Sequence, residues 1–224
     1  MSISHNLEIA MNFIGWGDPA NSIWFFGLEE GAAFQQTYLN EIDGKAFVPI
    51  DEQKNLDWPV ANKTATILTK ITGAPSVADY RDKILWRGGS GSFNGNLLPL
   101  GKASRQQWSD DYERLFGISA NDLGYYIELV REIRYPKIKQ LKENAKPQAI
   151  VCFGKECWSE FKQVFVEHPY DVKEYGDEKI VVYDSDRVIL CGHFSYGVHF
   201  TNKALDLVVE ILEGWGVNPE KRNK

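Results

Sequence analysis

Apolar residues fall along this chain in two rhythms. The first is the short unbroken run: Ile23-Trp24-Phe25-Phe26, stopped by Gly27, and Ala149 to Phe153, stopped by Gly154. Continuous rather than alternating apolarity predicts strands buried on both faces of a parallel sheet. The second rhythm is helical. Behind Pro59, residues Val60, Ala61, Thr64, Ile67, Leu68 and Ile71 recur at helix spacing, and Gly73 closes the pattern. Leu123, Ile127, Val130, Ile133 and Ile138 mark another helix, opened by a capping pair, Ser119 and Asp122, and bent at Pro136. Its other face carries Arg131, Arg134, Lys137, Lys139 and Lys142 and reads as solvated. Cys157, Trp158, Phe161, Val164 and Phe165 predict a further helix. Thr201 caps a last one with Ala204, Leu205, Val208, Ile211 and Leu212, closed by Gly214.

Lys179 to Tyr183 and Arg187 to Cys191 are strands around Asp184-Ser185-Asp186, a hairpin or tight connection. Arg87 to Gly95 reads as a glycine- and serine-rich loop. It leads into Asn96-Leu97-Leu98-Pro99-Leu100, an apolar segment that Pro99 confines to a strand end. Strands alternating with helices predict a three-layer α/β/α sandwich on a largely parallel sheet, one domain over residues 1–224. Ligands of such folds bind beyond the carboxyl ends of the strands. The loops to inspect are therefore 27–31, the stretch around 96–102, and 192–199.

Composition narrows the classes. With 43% apolar and 25% charged residues, the chain is a folded globular protein, not a disordered, collagen-like or coiled-coil one. No apolar run approaches the ~20 residues of a membrane helix. Residues 1–11 lack the basic start and apolar core of a secretory leader. Cys152, Cys157 and Cys191, with no close pair among them, read as buried thiols of a cytoplasmic protein. Twenty-five basic residues against thirty-one acidic ones give a net charge of −6, which weighs against nucleic acid but is compatible with a local basic groove. The four histidines and three cysteines show no metal-ligand spacing. Gly15-Trp16-Gly17-Asp18-Pro19-Ala20 fits a dinucleotide fingerprint formally, but it precedes a strand and Pro19 breaks the turn. Gly95 to Lys102 is one residue too long for a phosphate loop and lacks its Ser or Thr.

Three strand-end loops carry unusual polar groups. The first presents Glu29 and Glu30, the second Asn96 with Asn94 nearby, the third His193, Ser195 and His199. A carboxylate, an amide and an imidazole converging on one cleft suit hydrolysis or base recognition. Each also has a structural reading. Glutamates are favoured at helix N-termini, an asparagine settles in turns, and a histidine after a strand hydrogen-bonds locally.

This order of loops resembles the uracil-DNA glycosylase superfamily, from about Ile23 to Leu212. Phe25-Phe26-Gly27-Leu28-Glu29-Glu30-Gly31 resembles its first motif, a strand and a glycine loop. In one branch a catalytic Asp sits two residues after the loop glycine, and Glu29 holds that place here. Gly44-Lys45-Ala46-Phe47-Val48 resembles a segment of the iron–sulfur branch whose Phe stacks on the flipped base. Asn96-Leu97-Leu98-Pro99 is similar to the strand whose Asn reads the base edge. Ala149 to Trp158 resembles the third strand, its glycine turn and its helix. His193-Phe194-Ser195-Tyr196 resembles the His-Pro-Ser motif, with Phe194 in place of Pro. No leucine wedge is evident, leaving Tyr196, Val198 or His199 for that role, and the cluster-binding cysteines are missing.

The resemblance implies a central, mainly parallel four-stranded sheet. It also implies a monomeric enzyme that needs no diffusible cofactor and hydrolyses the N-glycosidic bond of uracil or another damaged base flipped out of DNA. Glu29 would stabilise the oxocarbenium-like sugar and orient a water. His193, as a neutral donor, would face the carbonyl oxygen of the leaving base. Asn96 offers an acceptor and a donor to uracil's imide face, Phe47 would stack on the ring, and Ser195 with nearby amides would hold a phosphate. Two other functions fit the same residues: a non-catalytic module that binds a nucleotide, a modified base or a protein, and a hydrolase of free nucleosides or nucleotides.

Overall fold

The structure, a computed structural model, describes residues 3–31, 34, 36–51, 54–102, 108–195 and 199–220. Among these, the strands are β1 (Gly15–Gly17), β2 (Ile23–Gly27), β3 (Phe47–Val48), β4 (Ser92–Asn96), β5 (Ala149–Phe153), β6 (Val172–Tyr175), β7 (Ile180–Tyr183) and β8 (Val188–Cys191). They form one sheet in the order β3-β1-β4-β2-β5-β8-β7-β6. The expected count of four strands is corrected to eight. The inner four, β4, β2, β5 and β8, are parallel. On one flank β1 lies antiparallel to β4 and carries β3; on the other, β7 and β6 continue the sheet antiparallel from β8. Of the flanking strands, β7 is the one expected at Lys179 to Tyr183, in a hairpin with β8; β1, β3 and β6 escape a pattern search for physical reasons. β1 and β3 span three and two residues, too few to show a period. β6 is exposed along most of its length and has no apolar run.

The second strand-end segment also shifts. The strand is Ser92–Asn96, inside the stretch expected to be a loop, and residues 97–100 lie beyond it. Small residues suit this strand because its neighbours are bulky. A Cβ on Gly95 would come within 2.4 Å of the Phe26 ring.

Side chains alternate across the inner strands. Trp24, Phe26 and Phe93 pack together, and Phe165 of helix Trp158–Phe165 meets Phe26 at 4.9 Å between ring centroids. Phe25 and Phe153 point the other way, toward Phe194 and Phe200. Helices Pro59–Thr72 and Asn202–Gly214 pack on each other, as do Tyr135–Ala145 and Trp158–Phe165. The arrangement is compatible with an α/β/α sandwich.

Pro59 opens its helix and Gly73 closes it in the left-handed region, φ 70°. The Ser119 hydroxyl accepts from the backbone and Asp122 reaches back to the Ser119 N–H, completing a capping box. Thr201 accepts from the Ala204 N–H at 3.2 Å. The bend expected at Pro136 takes the form of a π-turn over Val130–Arg134 just before it. Proline has no N–H to give the carbonyl four residues back, and the ladder widens there, with the Tyr135 N–H donating to Val130.

That turn corrects the reading of the basic face. Arg134 is not solvated; it is buried at 1% exposure. Its guanidinium donates to the carbonyls of Leu97 at 2.9 Å and Asn96 at 2.8 Å, and to those of Ala10, Met11, Phe13 and Ile14. Burial pulls the group down to about 10, and it stays charged at neutral pH. Arg131 is engaged too, donating to Glu160.

Candidate functional site

The inner parallel strands end together at Gly27, Asn96, Phe153 and Cys191. The loops beyond β2 and β4 are laced by backbone hydrogen bonds. The Leu97 N–H donates to Gly27, Leu98 to Leu28 and Lys102 to Glu30, at 3.1, 2.7 and 3.1 Å. Side chains reinforce the lacing: the Lys102 ammonium lies 3.5 Å from Glu29 Oε2, and both side chains are largely buried. This lysine compensates the charge of Glu29 within the fold.

Asn96 sits next to Gly27 across the register. A Cβ on Gly27 would come within 2.6 Å of Asn96 Oδ1 and 2.9 Å of the Phe153 ring. Phe153 in turn meets His193 edge-on, with ring centroids 5.9 Å apart. A line therefore runs along the strand ends from the Asn96 amide, past the bare Gly27, to the His193 imidazole.

The Ser195 backbone N–H donates to His193 Nδ1 at 3.1 Å. An accepting Nδ1 carries no hydrogen, which makes the ring the neutral Nε2–H tautomer. Gly192 and His199 approach closely beside this pair. A Cβ on Gly192 would fall 1.8 Å from the His199 carbonyl oxygen, so only glycine fits there. Phe194, which stands where the resemblance expects Pro, packs into the core beneath the strand ends. It is 1% exposed and stacks on Phe153 at 4.5 Å.

A small recess lies on the β1 side of Asn96. Glu30, Asn96, Trp16, Phe34 and Tyr38 line it, with Arg134 at its base. Trp16 and Tyr38 meet edge-on at 6.2 Å, and the Lys54 ammonium lies 4.1 Å from the Trp16 ring centroid. Burial pushes the Glu30 carboxyl above its usual range; the Trp16 indole, Lys54 and Arg134 act against that rise.

The expected residues thus divide. Asn96 joins both the recess and the line to His193. Glu29 stands beside them in the laced loops, while its neighbour Glu30 lines the recess. Ser195 orients His193 through its backbone. His199 is exposed. Tyr196 and Val198 lie outside the described residues. Phe47 is elsewhere: it occupies the edge strand β3, 38% exposed, with its ring edge-on to Phe93 and outside the recess lining.

Sequence reasoning missed Trp16, Tyr38 and Arg134. For Arg134 a signal existed. Tyr126, Val130, Arg134 and Ile138 recur every fourth residue and all are buried. An arginine inside such a stripe marks a buried cation. Trp16 stood within a motif rejected on other grounds.

Among the described residues no group of three or more His, Cys, Asp or Glu is placed to hold a metal, and no helix is long and apolar enough to cross a membrane. Comparison with family models and with curated proteins finds no match to this chain.

Proposed function

We propose that this chain is a base-excising hydrolase of the uracil-DNA glycosylase type, acting on a damaged base flipped out of DNA. The observation that carries the reading is the line of Asn96, Gly27, Phe153 and His193 along the ends of parallel strands, with two glutamates in the adjoining loop. Asn96 presents a carboxamide to the base edge. The Nε2–H of His193 supplies the donor on which a departing base anion depends; losing such a donor costs on the order of 10²–10³ in rate. Glu29 supplies the negative charge that an oxocarbenium-like sugar requires, and it orients the attacking water. Lys54, beside the Trp16 ring, supplies a cation next to the site in a chain of net charge −6.

The ion pair between Glu29 and Lys102 favours a second reading, a module that binds a base or nucleotide without cleaving it. One experiment separates the two. A uracil-containing duplex is incubated with the protein and scored for abasic sites. The enzyme reading expects cleavage that falls at least about a hundredfold in Glu29→Gln and in His193→Ala. Binding with no abasic product from uracil or from other damaged bases leaves only the module.

A further inference from the structure

We propose that Tyr112 is a positioning residue of the site: its buried hydroxyl bridges the loop that carries Glu29 and the loop that follows Asn96, and so fixes the acid relative to the amide. The inference rests on the reading above and adds to it a residue that touches neither base nor sugar.

Helix Asp111–Phe116 buries Tyr112 completely. The phenol oxygen has two partners. The Phe34 N–H donates to it at 2.6 Å, and it donates to the Gly101 carbonyl at 2.5 Å. Phe34 belongs to the loop beyond β2 and Gly101 to the loop beyond β4. A hydroxyl has one proton to give and lone pairs to accept with, so a single oxygen serves both loops at once. Burial holds the phenol above its usual range, against the Phe34 N–H, and the charges of Glu30 and Glu29 add to the rise. The group therefore keeps its proton at neutral pH and can donate to Gly101. Backbone bonds already hold Leu28 and Glu30, on either side of Glu29. The hydroxyl pins the same loop again at Phe34 and takes up the carbonyl just before Lys102, whose ammonium lies 3.5 Å from Glu29. Tyr126 helps from one side only: its hydroxyl accepts from the Leu100 N–H at 3.0 Å and holds the β4 loop. The Tyr112 ring rests against Trp108 and Phe116, with centroids 4.9 and 5.5 Å away, contacts that a phenylalanine retains.

The test is Tyr112→Phe, with Tyr135→Phe as control, a buried tyrosine whose hydroxyl donates to Glu160 and to neither loop. Amide hydrogen exchange of the full chain is read first. The Phe34, Leu98 and Lys102 amides should exchange at least about tenfold faster in Tyr112→Phe relative to Val151 of β5, and within about twofold of the parent in the control, because only the first variant opens the loops locally. Turnover on the uracil-containing duplex is read second. In Tyr112→Phe kcat should fall about 10- to 100-fold with KM within about threefold of the parent, since a misplaced acid acts on the chemical step. Unchanged exchange at Phe34 and Lys102, equal acceleration in the control, or an unchanged kcat in an active protein overturns the inference. So does a Phe34 amide that exchanges as fast as an unfolded one in the parent itself, a measurement that needs no variant. A parent that cleaves no base sinks the hydrolase reading; faster exchange in Tyr112→Phe then still upholds the bridge, and unchanged exchange still overturns it.

Discussion

Gly27, the last residue of β2, is pressed against the side chain of Asn96, the last residue of β4. A methyl group at position 27 would stand 2.6 Å from Asn96 Oδ1 and 2.9 Å from the Phe153 ring. Glycine is required here by space. Gly27→Ala must displace either the carboxamide or the ring, and overpacking of this kind costs about 1–3 kcal/mol. We expect the variant to lose that much stability in urea denaturation and to lose nucleoside affinity as Asn96 moves. A variant with unchanged stability and affinity would show that the contact relaxes without consequence.

Arg134 ties the strand end to helix His5–Asn12 and the two residues that follow it. Its guanidinium serves carbonyls on both sides, Asn96 and Leu97 on one, Ala10, Met11, Phe13 and Ile14 on the other. Arg134→Met keeps the bulk and removes every donor. Each buried carbonyl left unpaired costs about 1–3 kcal/mol, so a loss of at least about 3 kcal/mol is expected in guanidinium denaturation. Arg134→Lys should recover only part of it, because an ammonium cannot fan out to so many acceptors. A loss below about 1 kcal/mol in Arg134→Met would mean that water takes the place of the guanidinium.

These two residues also show where the sequence is legible. The inner strands announce themselves: Ile23 to Phe26, Ala149 to Phe153 and the run to Cys191 are continuous apolar stretches, and all three are strands. The helix from Pro59 to Gly73 and the cap at Thr201 follow from local chemistry alone. β4 hides because Ser92, Asn94, Gly95 and Asn96 form no apolar run, and Gly95 answers to the Phe26 ring beside it, a long-range demand that leaves no propensity signal. Asn96 and His193 could be nominated from their loops. The recess could not, since Trp16, Glu30 and Arg134 come together only through the pairing of β1 with β4 and the π-turn.

Family resemblance nominates Phe47 for base stacking, but its ring lies against Phe93 at 6.4 Å, on the edge strand β3. Phe47→Ala should leave nucleoside affinity unchanged within about twofold, well under the tenfold that 1.4 kcal/mol represents. A loss of about 1–3 kcal/mol in a titration, the range measured for base–aromatic stacking, would return the stacking role to Phe47.

Glu30 links the site to stability. Its carboxyl is raised above 4.5, first because burial disfavours the charged form. In the unfolded chain it titrates near that ordinary value. A raised acid contributes no penalty while it is protonated in both states, below about pH 4.5. As pH rises past that ordinary value, the unfolded chain ionises while the native protein still holds its proton, and stability falls until the raised folded value is passed. Glu30→Gln removes that burden and retains the shape. We therefore expect the variant to melt higher than the parent at pH 7 to 8, with the gain shrinking to nothing as the pH is brought to about 4. Melting curves across that range decide the matter. A gain that persists at low pH would trace to packing, and a loss at pH 7 would mean that Lys54 and Arg134 outweigh desolvation and that the ionised Glu30 stabilises the fold.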